Sequence, residues 1–127
     1  MIPNNIKDLI LALIEKTASK KAIWGKTSRP NEFKLNFEKG AVTTDFWDDR
    51  SGDAVDFAIY NKFGDRIDNF SATRGEPEFD LLIDLHNAAK REFYKVDETI
   101  FNLFNEVNED KSIGKREIEE EDDSLPF

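Results

Sequence analysis

Residues 31–48, NEFKLNFEKGAVTTDFWD, decide how this chain folds. Apolar and polar side chains alternate in each half of the stretch, which predicts two strands that each bury one face. The alternation breaks at residues 38–40, Glu-Lys-Gly, and this break predicts the hairpin turn that joins the two strands. The side chains on the apolar face are Phe33, Leu35 and Phe37 in the first strand and Val42, Thr44 and Phe46 in the second.

The pattern extends on both sides of this hairpin. Residues 54–63, AVDFAIYNKF, alternate in the same way, and a short fourth strand is expected at residues 67–70. Upstream, residues 4–21 place apolar side chains three and four positions apart, which predicts an amphipathic helix with Asn4 or Asn5 as its N-cap. The strands therefore form an antiparallel meander that follows a helix.

An apolar stripe runs from Phe79 to Val107 with spacings of three and four residues, which predicts one long helix. Such a helix would be roughly 40 Å long, which is more than a core of this size can cover. Either it breaks near Val96 and Asp97, where Asp97 could cap a second helix, or its far half packs on another chain. The second alternative predicts a homodimer through the long helix.

These patterns predict the α+β fold class. We expect an N-terminal helix, a four-stranded antiparallel meander and a long C-terminal helix within a single domain at residues 1–107. Residues 108–127 are polar, with isolated apolar side chains and no periodicity. That composition predicts a disordered acidic tail.

Composition excludes several kinds of site. The 127 residues include no cysteine and one histidine, so thiolate and His-based metal sites lack their ligands. That histidine, His86, falls on the apolar stripe, where a packed residue is expected rather than a catalytic base. Because no set of nucleophile, base and metal ligands is visible, neither an enzyme nor a cofactor is expected. No apolar run is long enough for a signal peptide or a membrane span, which predicts a cytoplasmic protein.

The net charge of −9 is unevenly distributed. Residues 106–127 hold nine acids and three bases, a net of −6, which leaves −3 for residues 1–105. Residues 16–39 hold seven bases against two acids, whereas residues 45–56 hold five aspartates against one arginine. These aspartates predict a solvated hairpin end, and weak binding of a divalent cation is the alternative.

Two aromatic residues, Trp47 and Tyr60, fall on the strand face opposite Phe46 and Phe57. An exposed sheet face with rings and lysines suits single-stranded nucleic acid, because bases stack on rings while lysines follow the phosphates. The alternative is that flanking helices cover this face. The candidate DNA-binding residues are Lys20, Lys21, Trp24, Lys26, Arg29, Lys34, Trp47 and Tyr60.

Residues 119–127, EEEDDSLPF, combine an acidic run with a terminal ring. A proline that limits the backbone, an aromatic side chain and a terminal carboxylate together fit a small apolar pocket with basic residues at its lip. The preceding acids would steer this tip toward a basic surface.

This ending resembles the acidic C-terminal tip of bacterial single-stranded DNA-binding proteins, which finish Asp-Asp-Asp-Ile-Pro-Phe or Asp-Asp-Asp-Leu-Pro-Phe. The resemblance implies that Phe127 and its carboxylate enter a pocket on replication, recombination or repair enzymes. It also implies that Pro126 shapes the approach while Asp122 and Asp123 meet basic residues. The tip residues are Asp122, Asp123, Leu125, Pro126 and Phe127.

The resemblance covers only these nine residues. Ser124 stands where the family has a third aspartate, which weakens the electrostatic part of the contact. That family binds DNA with an oligonucleotide-binding barrel whose helix lies between the third and fourth strands. The order expected here, with a helix before four strands and a long helix after them, is different.

The function predicted from the sequence is that of a non-enzymatic single-stranded DNA-binding protein of phage or mobile-element type, whose tip docks on enzymes of DNA metabolism. One alternative is an adaptor or competitor that mimics the tip without binding DNA. Another is an acidic immunity or antitoxin-like protein that neutralises a basic enzyme.

Overall fold

A five-stranded antiparallel sheet and three helices make up the part of the chain that this computed structural model describes, residues 2–49 and 52–116. The fold is α+β, as the sequence predicts. The elements in chain order are α1 (Asn4–Ala18), β1 (Gly25–Lys26), β2 (Glu32–Phe37), β3 (Gly40–Asp49), β4 (Gly52–Asn61), β5 (Arg66–Thr73), α2 (Phe79–Phe93) and α3 (Val96–Asn108). The strands lie in the sheet in their sequence order, so the sheet is a simple meander.

The predicted hairpin is confirmed. Phe37 pairs with Gly40, which leaves Glu38 and Lys39 as a two-residue loop. Glycine is required after this loop because β4 approaches the backbone closely. A Cβ atom at Gly40 would lie 2.5 Å from the carbonyl oxygen of Tyr60.

The core lies between the sheet and the first two helices. The alternation seen in the sequence places Phe33 of β2 and Phe57 of β4 on the buried face. Ile10 of α1 and Leu82 of α2 contribute to the same cluster. Full burial of each such side chain stabilises the fold by about 1.5–3 kcal/mol. The prediction that His86 is a packed residue is confirmed, since it is 3% exposed.

The strand count differs from the four predicted. The additional strand, β1, pairs with β2 through only two residues, Gly25 opposite Lys34 and Lys26 opposite Phe33. A two-residue strand is too short to show alternation, which is why the sequence pattern misses it. The helix start also differs, because Pro3 rather than Asn4 or Asn5 occupies the N-cap position of α1.

A single long C-terminal helix is not observed. The apolar stripe belongs to two helices, so the alternative of a break near Val96 and Asp97 is confirmed. The backbone of Lys95 is left-handed, with φ of 54°, a conformation that ends helices. The break therefore falls directly before Val96, and Asp97 lies in the first turn of α3 rather than ahead of it.

The chain divides at this break into two units, residues 1–96 and a second unit that begins at Asp97. Helix α3 buries none of its own side chains. Five large apolar residues of this helix are between 43% and 65% exposed, and they are Ile100, Phe101, Leu103, Phe104 and Val107. Among the described residues, no helix has the length and apolar character needed to cross a membrane.

Candidate nucleic-acid interface

One face of the sheet lies opposite the side on which α1 and α2 pack. Each cross-strand row on this face joins one residue from each of β2, β3, β4 and β5. Along the strands the face changes from basic and aromatic to acidic within roughly 14 Å, at about 3.4 Å per residue. The rows are Asn36, Ala41, Tyr60 and Arg66; then Lys34, Thr43, Ala58 and Asn69; then Glu32, Asp45, Asp56 and Ser71.

Tyr60 is the centre of the basic end. The Nζ atom of Lys34 lies 5.7 Å from the centroid of its ring, and the guanidinium carbon of Arg66 lies 5.9 Å from it. Both distances fall within the range of cation–π interactions. Three strands therefore bring two cations to one aromatic ring.

A β-bulge places Arg66 in this position. The register between β4 and β5 shifts at Ile59 and Tyr60, so that Tyr60 pairs with Arg66 where regular pairing would bring Ile67. Ile67 is the extra residue of β5.

An open depression of about 320 Å³ lies beside Tyr60. Lys34, Asn36 and Lys62 contribute to its walls. Lys62 also lies with its Nζ atom 5.2 Å from the ring centroid of Phe63, which is 78% exposed at the turn after β4. We name Lys34, Tyr60, Lys62 and Arg66 the basic patch.

The acidic end of the same face is held together by hydrogen bonds. The indole Nε1 of Trp47 donates to Oδ2 of Asp56 at 3.1 Å, and the hydroxyl of Ser71 donates to the other oxygen of that carboxylate. Asp45 is buried and accepts from Nε of Arg29 at 2.8 Å. Burial raises the pKa of Asp45, although Arg29 opposes that shift. These carboxylates repel phosphates, so a nucleic-acid track on this face is restricted to the basic patch.

No cation site is evident in the described ranges, 2–49 and 52–116. Within them, no three His, Cys, Asp or Glu residues are grouped so that they could hold a metal ion. Of the aspartates between residues 45 and 56, Asp45 pairs with Arg29 and Asp53 pairs with Arg74.

The predicted DNA-binding residues do not form one surface. Lys34, Trp47 and Tyr60 lie on the open face, and Arg29 contacts that face through Asp45. Trp24, by contrast, is 4% exposed, so its ring is inaccessible to a base.

The remaining three predicted residues lie away from the open face. Lys26 pairs in register with Phe33, whose ring centroid is 5.6 Å from the lysine Nζ, on the side that α1 and α2 cover. Lys20 and Lys21 follow the end of α1. The tip residues Asp122, Asp123, Leu125, Pro126 and Phe127 lie outside the described residues.

Sequence reasoning missed two members of the basic patch, Lys62 and Arg66. Lys62 follows the last residue of β4, and alternation from Tyr60 could have found it. Arg66 had no such signal, because regular alternation would have placed Ile67 opposite Tyr60, and only the bulge brings Arg66 to that position.

Comparison with protein-family models, curated proteins and solved structures finds no match to this chain. The basic patch, α3 and the sequence of the tip are the features of this chain that bear on its function.

Proposed function

We propose that this is a cytoplasmic, non-enzymatic single-stranded DNA-binding protein of phage or mobile-element type, whose acidic tip docks on enzymes of replication, recombination or repair. The observation that carries the DNA-binding part is the Tyr60 ring, with the cations of Lys34 and Arg66 within 6 Å on an open sheet face. Single strands are bound by stacking on rings and by cations that follow the backbone.

In the proposed complex, a base stacks on Tyr60. Because Lys34 and Arg66 already lie near this ring, both move from the ring to phosphates as the base enters. Lys62, beside the same depression, contacts the next phosphate. The exchange of a cation–π contact for a charge-assisted phosphate contact keeps each cation paired.

The salt dependence of binding tests the size of this contact. Three cations on a single strand predict a log–log slope of affinity against salt concentration of about −2, at roughly −0.7 per phosphate contact. Each of the single variants Lys34→Gln and Arg66→Gln should make the slope shallower by roughly 0.7. Tyr60→Ala should weaken binding without changing the slope.

The experiment is fluorescence anisotropy with a labelled oligonucleotide, using a chain that lacks residues 117–127 so that its acids do not compete. Lys16→Gln is the matched control, because Lys16 is an exposed residue of α1, on the other side of the sheet. Failure of the shortened chain to bind at low salt, or equal losses for Lys16→Gln and Lys34→Gln, would refute DNA binding at this patch.

The docking part of the proposal rests on the resemblance of the tip. Affinity capture from a bacterial lysate, with and without single-stranded DNA, should recover DNA-metabolism enzymes with the full chain and lose them with Phe127→Ala. Ser124→Asp is the informative second variant, since it restores the family's third acid and should strengthen capture. Capture that survives removal of residues 125–127 would refute docking through the tip.

A second candidate function, an adaptor that binds proteins without binding DNA, is favoured by the exposed apolar residues of α3. Ile100, Leu103, Phe104 and Val107 line an apolar groove of about 270 Å³ on this helix. Exposed apolar surface of this kind marks protein contact sites. The adaptor becomes the better description if DNA binding fails while capture through the tip is retained.

The same residues support a homodimer as part of either function. They recur at positions i, i+3, i+4 and i+7, the spacing with which two helices pack along a shared seam. A second copy of α3 would cover them.

A further inference from the structure

A polar cavity of about 270 Å³, open to solvent, lies on the helix side of the sheet, between β3, α2, the loop that contains Asn31 and the loop that joins β5 to α2. Its walls combine the amides of Asn31 and Asn87 with the charged groups of Arg74 and Lys90. The buried His86 and the apolar Phe46 and Ile83 complete the lining, and none of the described lining residues carries a carboxylate. The cavity therefore offers several N–H donors and positive charge to a ligand.

His86 has one ring edge occupied and one available. Its Nδ1 atom lies 3.0 Å from the hydroxyl oxygen of Thr44, and its ring packs near Phe33 and Phe46. Every fully buried polar side-chain atom of the described residues has a hydrogen-bond partner. Since Nε2 has no partner among those residues, this atom keeps some exposure to solvent, and His86 lines the cavity.

The two cations of the cavity differ in how they are held. Arg74 lies over the ring of Phe79, at 4.9 Å from its centroid, and donates from Nε to Asp53 at 3.0 Å. Lys90 follows His86 by one helical turn and forms no ion pair with a described residue. Burial, aided by the charge of Lys90, lowers the pKa of His86 to about 4, so the imidazole is neutral at pH 7.

We propose that this cavity binds a small oxyanion, either free phosphate or the phosphate group of a nucleotide. Lys90 supplies the charge and Nε2–H of His86 donates a hydrogen bond. Asn31 and Asn87 donate from their amides. A charge-assisted contact of this kind is roughly twice as strong as a neutral one. The site requires the tautomer in which the Thr44 hydroxyl donates to Nδ1.

This site is independent of the proposed DNA interface, because Thr44 and Phe46 lie on the opposite face of the sheet from Tyr60. Failure of either proposal leaves the other unaffected.

Nitrogen NMR of the full chain tests the proposal directly. His86 is the only histidine, so the imidazole signals need no residue assignment, and the couplings to the ring carbon protons distinguish Nδ1 from Nε2. At pH 7.5, the spectrum should show the proton on Nε2. Inorganic phosphate should then shift the Nε2 signal saturably, whereas sodium chloride at equal ionic strength should not.

The variants and ligands distinguish a built site from general charge attraction. Lys90→Gln should weaken phosphate binding roughly ten-fold. Lys95→Gln removes the same charge at a position that does not line the cavity, and should have no effect. Adenosine monophosphate binding more tightly than inorganic phosphate would identify a nucleotide as the ligand, and the reverse would identify free phosphate.

Three results would overturn the proposal. They are a proton on Nδ1 rather than Nε2, a phosphate effect that sodium chloride reproduces, and equal effects of Lys90→Gln and Lys95→Gln. A saturable shift with adenosine, which lacks the phosphate, would also count against an oxyanion site.

Discussion

The indole Nε1 of Trp24 donates a hydrogen bond to the hydroxyl oxygen of Thr17, 3.0 Å away, and that hydroxyl donates to the carbonyl of Leu13 at 2.7 Å. This chain of two hydrogen bonds connects the residue before β1 to the last turns of α1. Trp24 therefore holds the edge of the sheet to the first helix.

Replacing Trp24 should lower stability without weakening DNA binding. Trp24→Phe removes one buried hydrogen bond and should cost about 1 kcal/mol in the free energy of unfolding, whereas Trp24→Ala should cost about 3–5 kcal/mol. Urea denaturation measures both losses. DNA affinity that falls with Trp24→Phe as much as with Tyr60→Ala would contradict the structural role.

Gly40 should tolerate no side chain. Gly40→Ala places a methyl group 2.5 Å from the carbonyl oxygen of Tyr60, and the resulting backbone shift should cost about 1–3 kcal/mol. Gly25→Ala is the matched control, because its methyl group would lie 3.7 Å from the carbonyl oxygen of Lys34, an ordinary contact. Thermal or urea unfolding that shows equal losses for the two variants would contradict this account.

Protonation of His86 should destabilise the fold as the pH falls. The pKa of His86 is about 4 in the folded chain and about 6.5 in the unfolded chain, so the unfolded state binds the proton first. The resulting loss of stability begins near pH 6.5, reaches about 2 kcal/mol at pH 5, and levels off about one pH unit below the folded pKa.

Comparison of His86→Gln with the unaltered chain isolates this effect from the titration of carboxylates. The difference in unfolding free energy between the two proteins should shrink between pH 7 and pH 5, as measured by urea denaturation. Parallel pH profiles would show that His86 does not cause the loss.

The chain should self-associate through α3. Leu103→Glu puts a charge among the exposed apolar residues and should convert a dimer to a monomer in light scattering coupled to size exclusion. Asn102→Glu adds the same charge at a neighbouring polar position of the same helix and should leave the dimer intact. A monomer for the unaltered chain at high concentration would contradict the homodimer.

Alternation predicted the centre of this fold because burial imposes it. Phe33 and Leu35 must face the same way to reach the core, and that requirement is visible in the spacing of the residues. The two-residue strand β1 buries too little to leave such a pattern. The length of the apolar stripe predicts a break near Val96, but not a left-handed backbone at Lys95, because nothing in the sequence distinguishes that lysine from the others.

The candidate site could be predicted only in part. Tyr60 and Lys34 follow from alternation within regular strands. Trp24 is buried and donates a hydrogen bond to Thr17, a contact that no local pattern encodes. Arg66 belongs to the basic patch only because the register between β4 and β5 shifts at Tyr60. That shift depends on the pairing of whole strands, which a local sequence pattern does not show.

Because Ile67 is an extra residue, the parts of β5 before and after it pair with β4 in different registers. Residues after Ile67 keep the alternation that the core demands, while Arg66 before it is matched to Tyr60. Loss of Ile67 would restore an even ladder with the same cross-strand partners, because Asp68 would still oppose Ile59 and Arg66 would still oppose Tyr60. The strand can therefore gain or lose one residue here, with a change in local twist, and still carry the same chemistry on its exposed side.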